Sequence, residues 1–233
     1  MVGRFPGGVV SAKGDIYARD GDSCIAAQNG ACFFHEPFKR GAEAVIDVSG
    51  MRWIDGVVVT IAVSQAETAT YHVVAEQLAA IALVQDAINT AGGVFYLHLT
   101  ARNAFIDQWI AILIPGLPET RILTGGSVAA RLLLVPQQTC GKPTPSQMLW
   151  MRARVMAALG PKTATLPVLI TRTKSRPMPG WAAFSAGLGP HVDHADGSLP
   201  PVLDQLRYFH TGLVVAPHGA GLVNMLAAPD GVQ

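Results

Sequence analysis

The chain alternates short β-branched apolar runs with longer segments whose apolar residues recur every three or four positions. The run at residues 56–63 is apolar without alternation, as expected for a strand covered on both faces. Residues 71–89 contain neither glycine nor proline, and their apolar positions follow helical spacing. The sequence therefore predicts a strand followed by a helix, in a sheet with helices on both faces.

The same alternation continues along the rest of the chain. We predict strands at residues 94–99, 120–123, 130–135, 168–172 and 213–216, and helices at residues 103–114, 145–159 and 201–209. Alternating strands and helices are typical of an α/β doubly wound fold. Residues 1–44 show little periodicity, and we expect them to form an irregular or partly strand-like lead-in.

The segment at residues 160–167 has the proline and glycine content of a linker. It divides an N-terminal α/β unit at residues 45–160 from a second unit at residues 161–233. Because the second unit is shorter than the ~100 to 150 residues of a typical domain, we expect it to be truncated at its C-terminus.

Composition narrows the classes of function. Half of the 233 residues are apolar and 14% are charged, as in compact globular proteins. The net charge is +1 and like charges form no block, so the sequence predicts neither a nucleic-acid partner nor a membrane surface. No apolar run reaches the ~18 residues of a membrane span. Three cysteines fit neither a disulfide framework nor a zinc site.

A glycine-punctuated turn joins the predicted strand at residues 213–216 to an apolar helix. Gly219 and Gly221 would let a ligand approach the main chain, and the first N–H groups of the helix would point at an anion. His218 can donate to a phosphate oxygen. The alternative is a tight strand-to-helix connection without a ligand.

Two further pairs of side chains suggest chemistry. Arg172 and Arg176 follow the strand at residues 168–172, and two guanidinium groups there would neutralise a pyrophosphate; the alternative is a solvated basic loop. His72 and Glu76 stand one helical turn apart and would take the proton of an acceptor hydroxyl. The alternative for that pair is a core histidine and a surface glutamate.

Metal ligation has weaker support. His191, Asp193, His194 and Asp196 are spaced as zinc ligands can be, and Asp20-Gly-Asp22 resembles a metal-holding Asp-x-Asp. The second motif lies in the lead-in, far along the chain from the phosphate elements. We expect neither to hold a metal.

Three segments together resemble one family. They are Pro-His-Gly-Ala-Gly-Leu-x-Asn-Met-Leu at residues 217–226, Tyr-His-x-x-x-Glu at residues 71–76 and Thr-Arg-x-x-x-Arg at residues 171–176. Their order and spacing, over roughly residues 50–232, are similar to those of the family 61 glycosyltransferases, which include transferases of the protein O-GlcNAc and xylan type. These enzymes move a sugar from a nucleotide sugar with inversion.

The resemblance implies a GT-B-like arrangement of two Rossmann-like units that works without a metal or other cofactor. The donor would be a nucleotide sugar, UDP-linked by expectation, and the acceptor a glycan or glycoprotein. The implied catalytic residues are Glu76 and His72. The implied nucleotide-binding residues are Arg172, Arg176, His218, Gly219, Ala220, Gly221, Leu222 and Asn224.

Other expectations attach to this resemblance. Eukaryotic relatives work in the Golgi or ER lumen on an N-terminal anchor, which we expect this chain to have lost if it is one of them. The segment at residues 177–190 departs from the family because it is rich in glycine, proline and alanine where the family is polar and acidic. The alternatives are an inactive remnant that binds nucleotide and an unrelated nucleotide-binding α/β domain.

Overall fold

The computed structural model describes residues 2–11, 15–20, 23–29, 51–62, 72–136, 143–161, 166–171, 179–195, 200–217 and 220–230. The strands are β1 (Val2–Pro6), β2 (Val9–Val10), β3 (Asp15–Asp20), β4 (Ser23–Asn29), β5 (Arg52–Thr60), β6 (Tyr96–Leu99), β7 (Ile122–Thr124), β8 (Val128–Pro136), β9 (Val168–Thr171), β10 (Val192–Ala195) and β11 (Val214–Val215). The α-helices are α1 (Ile81–Thr90), α2 (Ala104–Leu113), α3 (Pro145–Leu159), α4 (Trp181–Gly187) and α5 (Val202–Phe209). A π-helix at His72–Gln77 and 3₁₀ helices at Leu78–Ala80, Glu119–Arg121 and Ala220–Ala227 complete the elements.

The larger of two sheets has a parallel half and an antiparallel half that meet at β8. Strands β8, β5, β6 and β7 are neighbours in that order and all run parallel. Strands β1 and β2 pair antiparallel with β8, and β3 and β4 extend the sheet beyond β2. These four strands are the described part of the expected lead-in. The predicted α/β class is confirmed.

The larger sheet must be strongly coiled, because the short link between β7 and β8 could not span a flat sheet. Only residues 125–127 join β7 to β8, although β6 and β5 lie between these two strands. In a flat sheet Thr124 and Val128 would be ~14 Å apart across the strands and ~25 Å along them, whereas four peptide units span at most ~15 Å. The register of β5 and β8 shifts between Ile54 and Val57, where β5 has one extra residue, and such a bulge bends the strand that carries it.

The coil determines what covers each face of the larger sheet. One face packs against α1, α2 and α3, with Trp109 and Met151 fully buried between them. On the other face Val58 and Leu133 pack against residues of the coiled strands, Val10, Ile16 and Val128. The expectation of helices on both faces is therefore wrong for the described residues. A β-branched run without alternation indicated two covered faces but not that strands cover one of them.

Local signals fix the best-predicted helices. The Asn103 carboxamide oxygen accepts from the Ile106 N–H at 2.9 Å at the start of α2. Thr144 and Gln147 form a capping box at the start of α3, where Pro145 is the first helical residue. The helices predicted at residues 103–114 and 145–159 are confirmed. The helix predicted at residues 71–89 is observed from His72, but as a π turn and a 3₁₀ turn before α1.

The smaller sheet is parallel, with β9 between β10 and β11. Helix α4 connects β9 to β10, and α5 connects β10 to β11. The sequence predicts neither α4 nor β10, because both lie in or beside a segment rich in glycine and proline.

The smaller sheet shares its core with the larger one. Val168 and Ile170 of β9 belong to the cluster that holds Met151 and Val155 of α3. Arg152 of α3 donates to the carbonyl oxygen of Leu226 at 3.0 Å, to that of Ala228, and to the Asp230 carboxylate at 3.1 Å. Since these acceptors end the 3₁₀ helix at Ala220–Ala227, the arginine fastens that helix to α3. The division of the chain near residue 160 stays a prediction.

Candidate functional site

The parallel half of the larger sheet has a point where its strand order reverses. Its first strand along the chain, β5, lies between β6, which follows it, and β8, which is the fourth. In open α/β sheets a ligand binds outside the carboxyl ends of the two strands at such a switch point. The chain leaves β5 at this edge and next enters the described structure at His72.

His72 and Glu76 are in direct contact at the start of the helical segment after β5. The imidazole Nδ1 lies 2.6 Å from the Glu76 Oε1. The contact was predicted from the spacing of the two residues. They belong to a π-helix, a rare conformation that occurs frequently at functional sites.

The structural alternative for this pair was a core histidine with a surface glutamate. The observed exposure is the opposite. The Glu76 side chain is 5% exposed and the His72 side chain is 51% exposed. A buried carboxylate requires hydrogen-bond partners, and the imidazole supplies one. A substrate that approaches from solvent therefore meets the imidazole before the carboxylate.

A second polar pair is sealed behind this edge. The Thr60 hydroxyl of β5 lies 3.1 Å from the Nδ1 of His98 on β6, and both residues are fully buried. Because the Ala62 N–H donates to the Thr60 oxygen, the hydroxyl is free to donate to Nδ1. Burial lowers the pKa of His98 to about 4, and the backbone at Gly126 opposes that shift. This histidine is therefore neutral at pH 7.

Sequence reasoning missed the Thr60–His98 pair. The contact depends on the parallel register that sets Thr60 opposite His98. The one signal in the sequence was a histidine inside an otherwise apolar strand.

The smaller sheet has a switch point of its own, between β9 and β11. Strand β9 is central, and the chain turns to β10 on one side and later to β11 on the other. Thr171 ends β9 and Val215 ends β11, with Leu169 and Val215 in register. The two strands therefore end at the same edge. Arg172, Arg176, His218 and Gly219 follow these ends along the chain and lie outside the described residues.

The remaining candidates for nucleotide binding belong to the 3₁₀ helix at Ala220–Ala227. Gly221 has no positive φ, and a Cβ added to it would lie 3.5 Å from the Ile170 Cδ1. In the structure, Gly221 lets the 3₁₀ helix pack closely on β9. Leu222 is half-buried and packs at the edge of the core. The buried Asn224 amide donates to the Gln205 carboxamide oxygen at 3.3 Å, which joins this helix to α5.

An aromatic pair that sequence reasoning missed lies at the same edge. The Trp181 Nε1 donates to the Thr171 hydroxyl at 3.0 Å. The rings of Trp181 and Phe184 stack with centroids 5.6 Å apart and planes at 25°. Both residues belong to α4, of which no residue is fully buried.

Metal and membrane readings find no support in the described part of the chain. Its residues contain no group of three or more His, Cys, Asp or Glu side chains arranged to hold a metal ion. The side chains of Asp20, Asp22, Asp193, His194 and Asp196 are not among those described. None of the helices in the described ranges is both long enough and apolar enough to cross a bilayer.

No protein-family model and no curated protein matches this chain.

Proposed function

We propose that this protein is an inverting glycosyltransferase of the family 61 type, with a GT-B-like arrangement of two Rossmann-like units. It would move a sugar from a nucleotide sugar to a hydroxyl of a glycan or protein. We expect the donor to be a UDP-sugar. The observation that carries the proposal is the His72–Glu76 pair at the start of the segment after β5, whose carboxyl end borders a switch point. The resemblance of three motifs supplies the reaction class.

In this reaction the pair acts on the acceptor. The imidazole of His72 takes the hydroxyl proton while the buried Glu76 carboxylate stabilises the imidazolium that forms. The hydroxyl oxygen bonds to the anomeric carbon, and the bond from that carbon to the nucleoside diphosphate breaks. The diphosphate leaves with the electron pair. The inverted geometry requires the base and the leaving group on opposite sides of the sugar.

The donor side rests on the second switch point. Arg172 and Arg176 would neutralise the leaving diphosphate, and the backbone from His218 and Gly219 through Ala220 to Gly221 would contact its phosphates, with Leu222 and Asn224 behind them. Support comes from the shared edge at which β9 and β11 end. No metal or other cofactor enters this proposal.

The test is turnover paired with binding. With a UDP-sugar and an acceptor glycan, Glu76→Gln should lower the rate of UDP release by ~10²- to 10⁴-fold, with UDP affinity unchanged, because a neutral carboxamide no longer stabilises the His72 imidazolium and general-base catalysis is lost. Asp86→Asn is the matched control, because Asp86 is an exposed carboxylate on α1 that follows in the same helical segment. That variant should keep full turnover.

Three outcomes separate the alternatives. Binding of nucleoside diphosphate without turnover in the unmodified chain would identify an inactive remnant. Failure to bind UDP, GDP or ADP by calorimetry would contradict the proposal altogether. A fall in melting temperature for Glu76→Gln, with turnover reduced less than tenfold, would instead make Glu76 a structural residue.

A further inference from the structure

The edge of the smaller sheet carries aromatic surface that the proposed reaction does not use. Phe184 is 47% exposed, and its ring is one helical turn from Trp181 on the same face of α4. Aromatic rings combine a large apolar face with few rotatable bonds, so a stacked pair at a sheet edge offers a rigid flat surface to a ligand.

Three contacts fix this pair beside the end of β9. The Trp181 indole is tied to Thr171, the last residue of that strand. Gly180 begins α4 with φ of 76°, a conformation that favours glycine. The His191 Nδ1 lies 2.6 Å from the Gly189 carbonyl oxygen, so Nδ1 carries the proton and Nε2 accepts from the Ser185 hydroxyl at 3.0 Å. The helix is thereby held to the chain that leads into β10.

We propose that Trp181 and Phe184 form the stacking platform for the base of the nucleotide. This inference rests on the proposed function, since it assumes a nucleoside diphosphate at the β9–β11 switch point. A flat base and a flat ring stack whatever the base, so the platform supplies affinity for any nucleoside diphosphate over free pyrophosphate. The hydroxyl of Thr171 acts as a positioning group through the indole.

The experiment compares two probes, UDP and inorganic pyrophosphate. Phe184→Ala should weaken UDP binding roughly 10- to 100-fold, the range for loss of one base–aromatic stack, and leave pyrophosphate binding unchanged. Phe184→Tyr should restore UDP binding because it keeps a ring. Leu166→Ala is the matched control, since Leu166 is 50% exposed but precedes β9, at the opposite end of the same strand. It should bind UDP as the unmodified chain does.

Tryptophan fluorescence gives an independent readout. UDP should quench part of the emission and pyrophosphate should not, and Trp181→Phe should abolish the UDP-dependent part. A Phe184→Ala variant that binds UDP undiminished, or that loses UDP and pyrophosphate equally, would overturn the platform. If the unmodified chain binds pyrophosphate as tightly as UDP, the platform is also excluded while phosphate binding stands. If it binds neither probe, the proposed function fails and takes this inference with it.

Discussion

The two sheets reach a buried core by different routes. The larger sheet coils and supplies strands to cover the face that no described helix covers, so Val58 and Leu133 are fully buried on that side. The smaller sheet has three strands and packs β9 into the core that α3 already forms. The larger sheet is therefore covered on one face by its own strands, whereas the smaller sheet depends on α3 for its core.

The two sheets also differ in the exposure of the side chains at their carboxyl edges. Behind the edge of the larger sheet, Thr60 and His98 are removed from water completely. At the edge of the smaller sheet, the Trp181 and Phe184 rings remain accessible. Because His98 is buried, the stability of the fold depends on its protonation. The exposed aromatic rings instead offer a surface to a ligand. Three predictions follow from that contrast.

The largest effect concerns acid. The pKa of His98 is lowered from 6.5 to about 4 in the folded chain, so the unfolded chain binds the proton more readily. The stability contributed by the neutral imidazole is complete above pH 6.5 and is lost as the pH falls toward 4, by about 3 kcal/mol in all. Urea unfolding at pH 7, 5.5 and 4 measures this loss.

His98→Gln isolates the histidine from the carboxylates that also titrate in this range. The variant should be less stable at pH 7, and the gap between it and the unmodified chain should narrow as the pH falls. A gap that stays constant from pH 7 to pH 4 would show that His98 does not carry the acid sensitivity.

The next effect compares one substitution in the two sheets. A Cβ at Gly8 would lie 2.7 Å from the Phe5 Cβ, 2.9 Å from the Phe5 carbonyl oxygen and 3.0 Å from the Leu133 Cβ, all rigidly held atoms. Gly8→Ala should therefore cost about 2 to 3 kcal/mol of unfolding free energy. Gly221→Ala is the counterpart, because its Cβ would make an ordinary contact with Ile170. Equal losses of unfolding free energy in the two variants would contradict the idea that the packing is tighter at Gly8 than at Gly221.

The smallest effect concerns the contact between α3 and the 3₁₀ helix at Ala220–Ala227. Arg152→Ala removes three hydrogen bonds to the end of the 3₁₀ helix and should cost about 2 kcal/mol. Arg154→Ala is the control on the same helix, since the Arg154 guanidinium lies 5.7 Å from the Trp150 ring centroid, a contact worth about 0.5 to 1 kcal/mol. Hydrogen exchange should report faster opening near Asn224 in the first variant alone. Unchanged exchange there would remove Arg152 from this role.

Local patterns explain what the sequence predicted well. The capping box of Thr144 and Gln147 lies within four residues, and α3 begins and ends where the pattern predicted. The His72–Glu76 contact likewise follows from a spacing of four. Their relative burial does not, because it depends on which side of the helix the larger sheet covers.

Non-local geometry explains what was missed. The Thr60–His98 pair requires the register between two strands 38 residues apart. The coil requires a bulge and a three-residue link that no periodicity encodes. Helix α4 lies in a segment whose glycines and prolines predict loops, although Gly180 in fact starts the helix. The roles of Arg172, Arg176, His218 and Gly219 stay predictions, as they lie outside the described residues.

The pairing of β1 and β2 with β8 limits the order in which these strands can pair while the chain is being synthesised. Val2 pairs with Pro136, and Val10 with Val128, so β1 has no described strand partner until β8 has been made, and until then β2 is paired with β3 alone. At ~5 to 20 residues per second, synthesis of the intervening roughly 120 residues takes about 6 to 25 seconds. During that interval the apolar edge of the early strands is open to other chains. A chaperone that covers residues 2–10 during this interval would keep that edge from pairing with other chains.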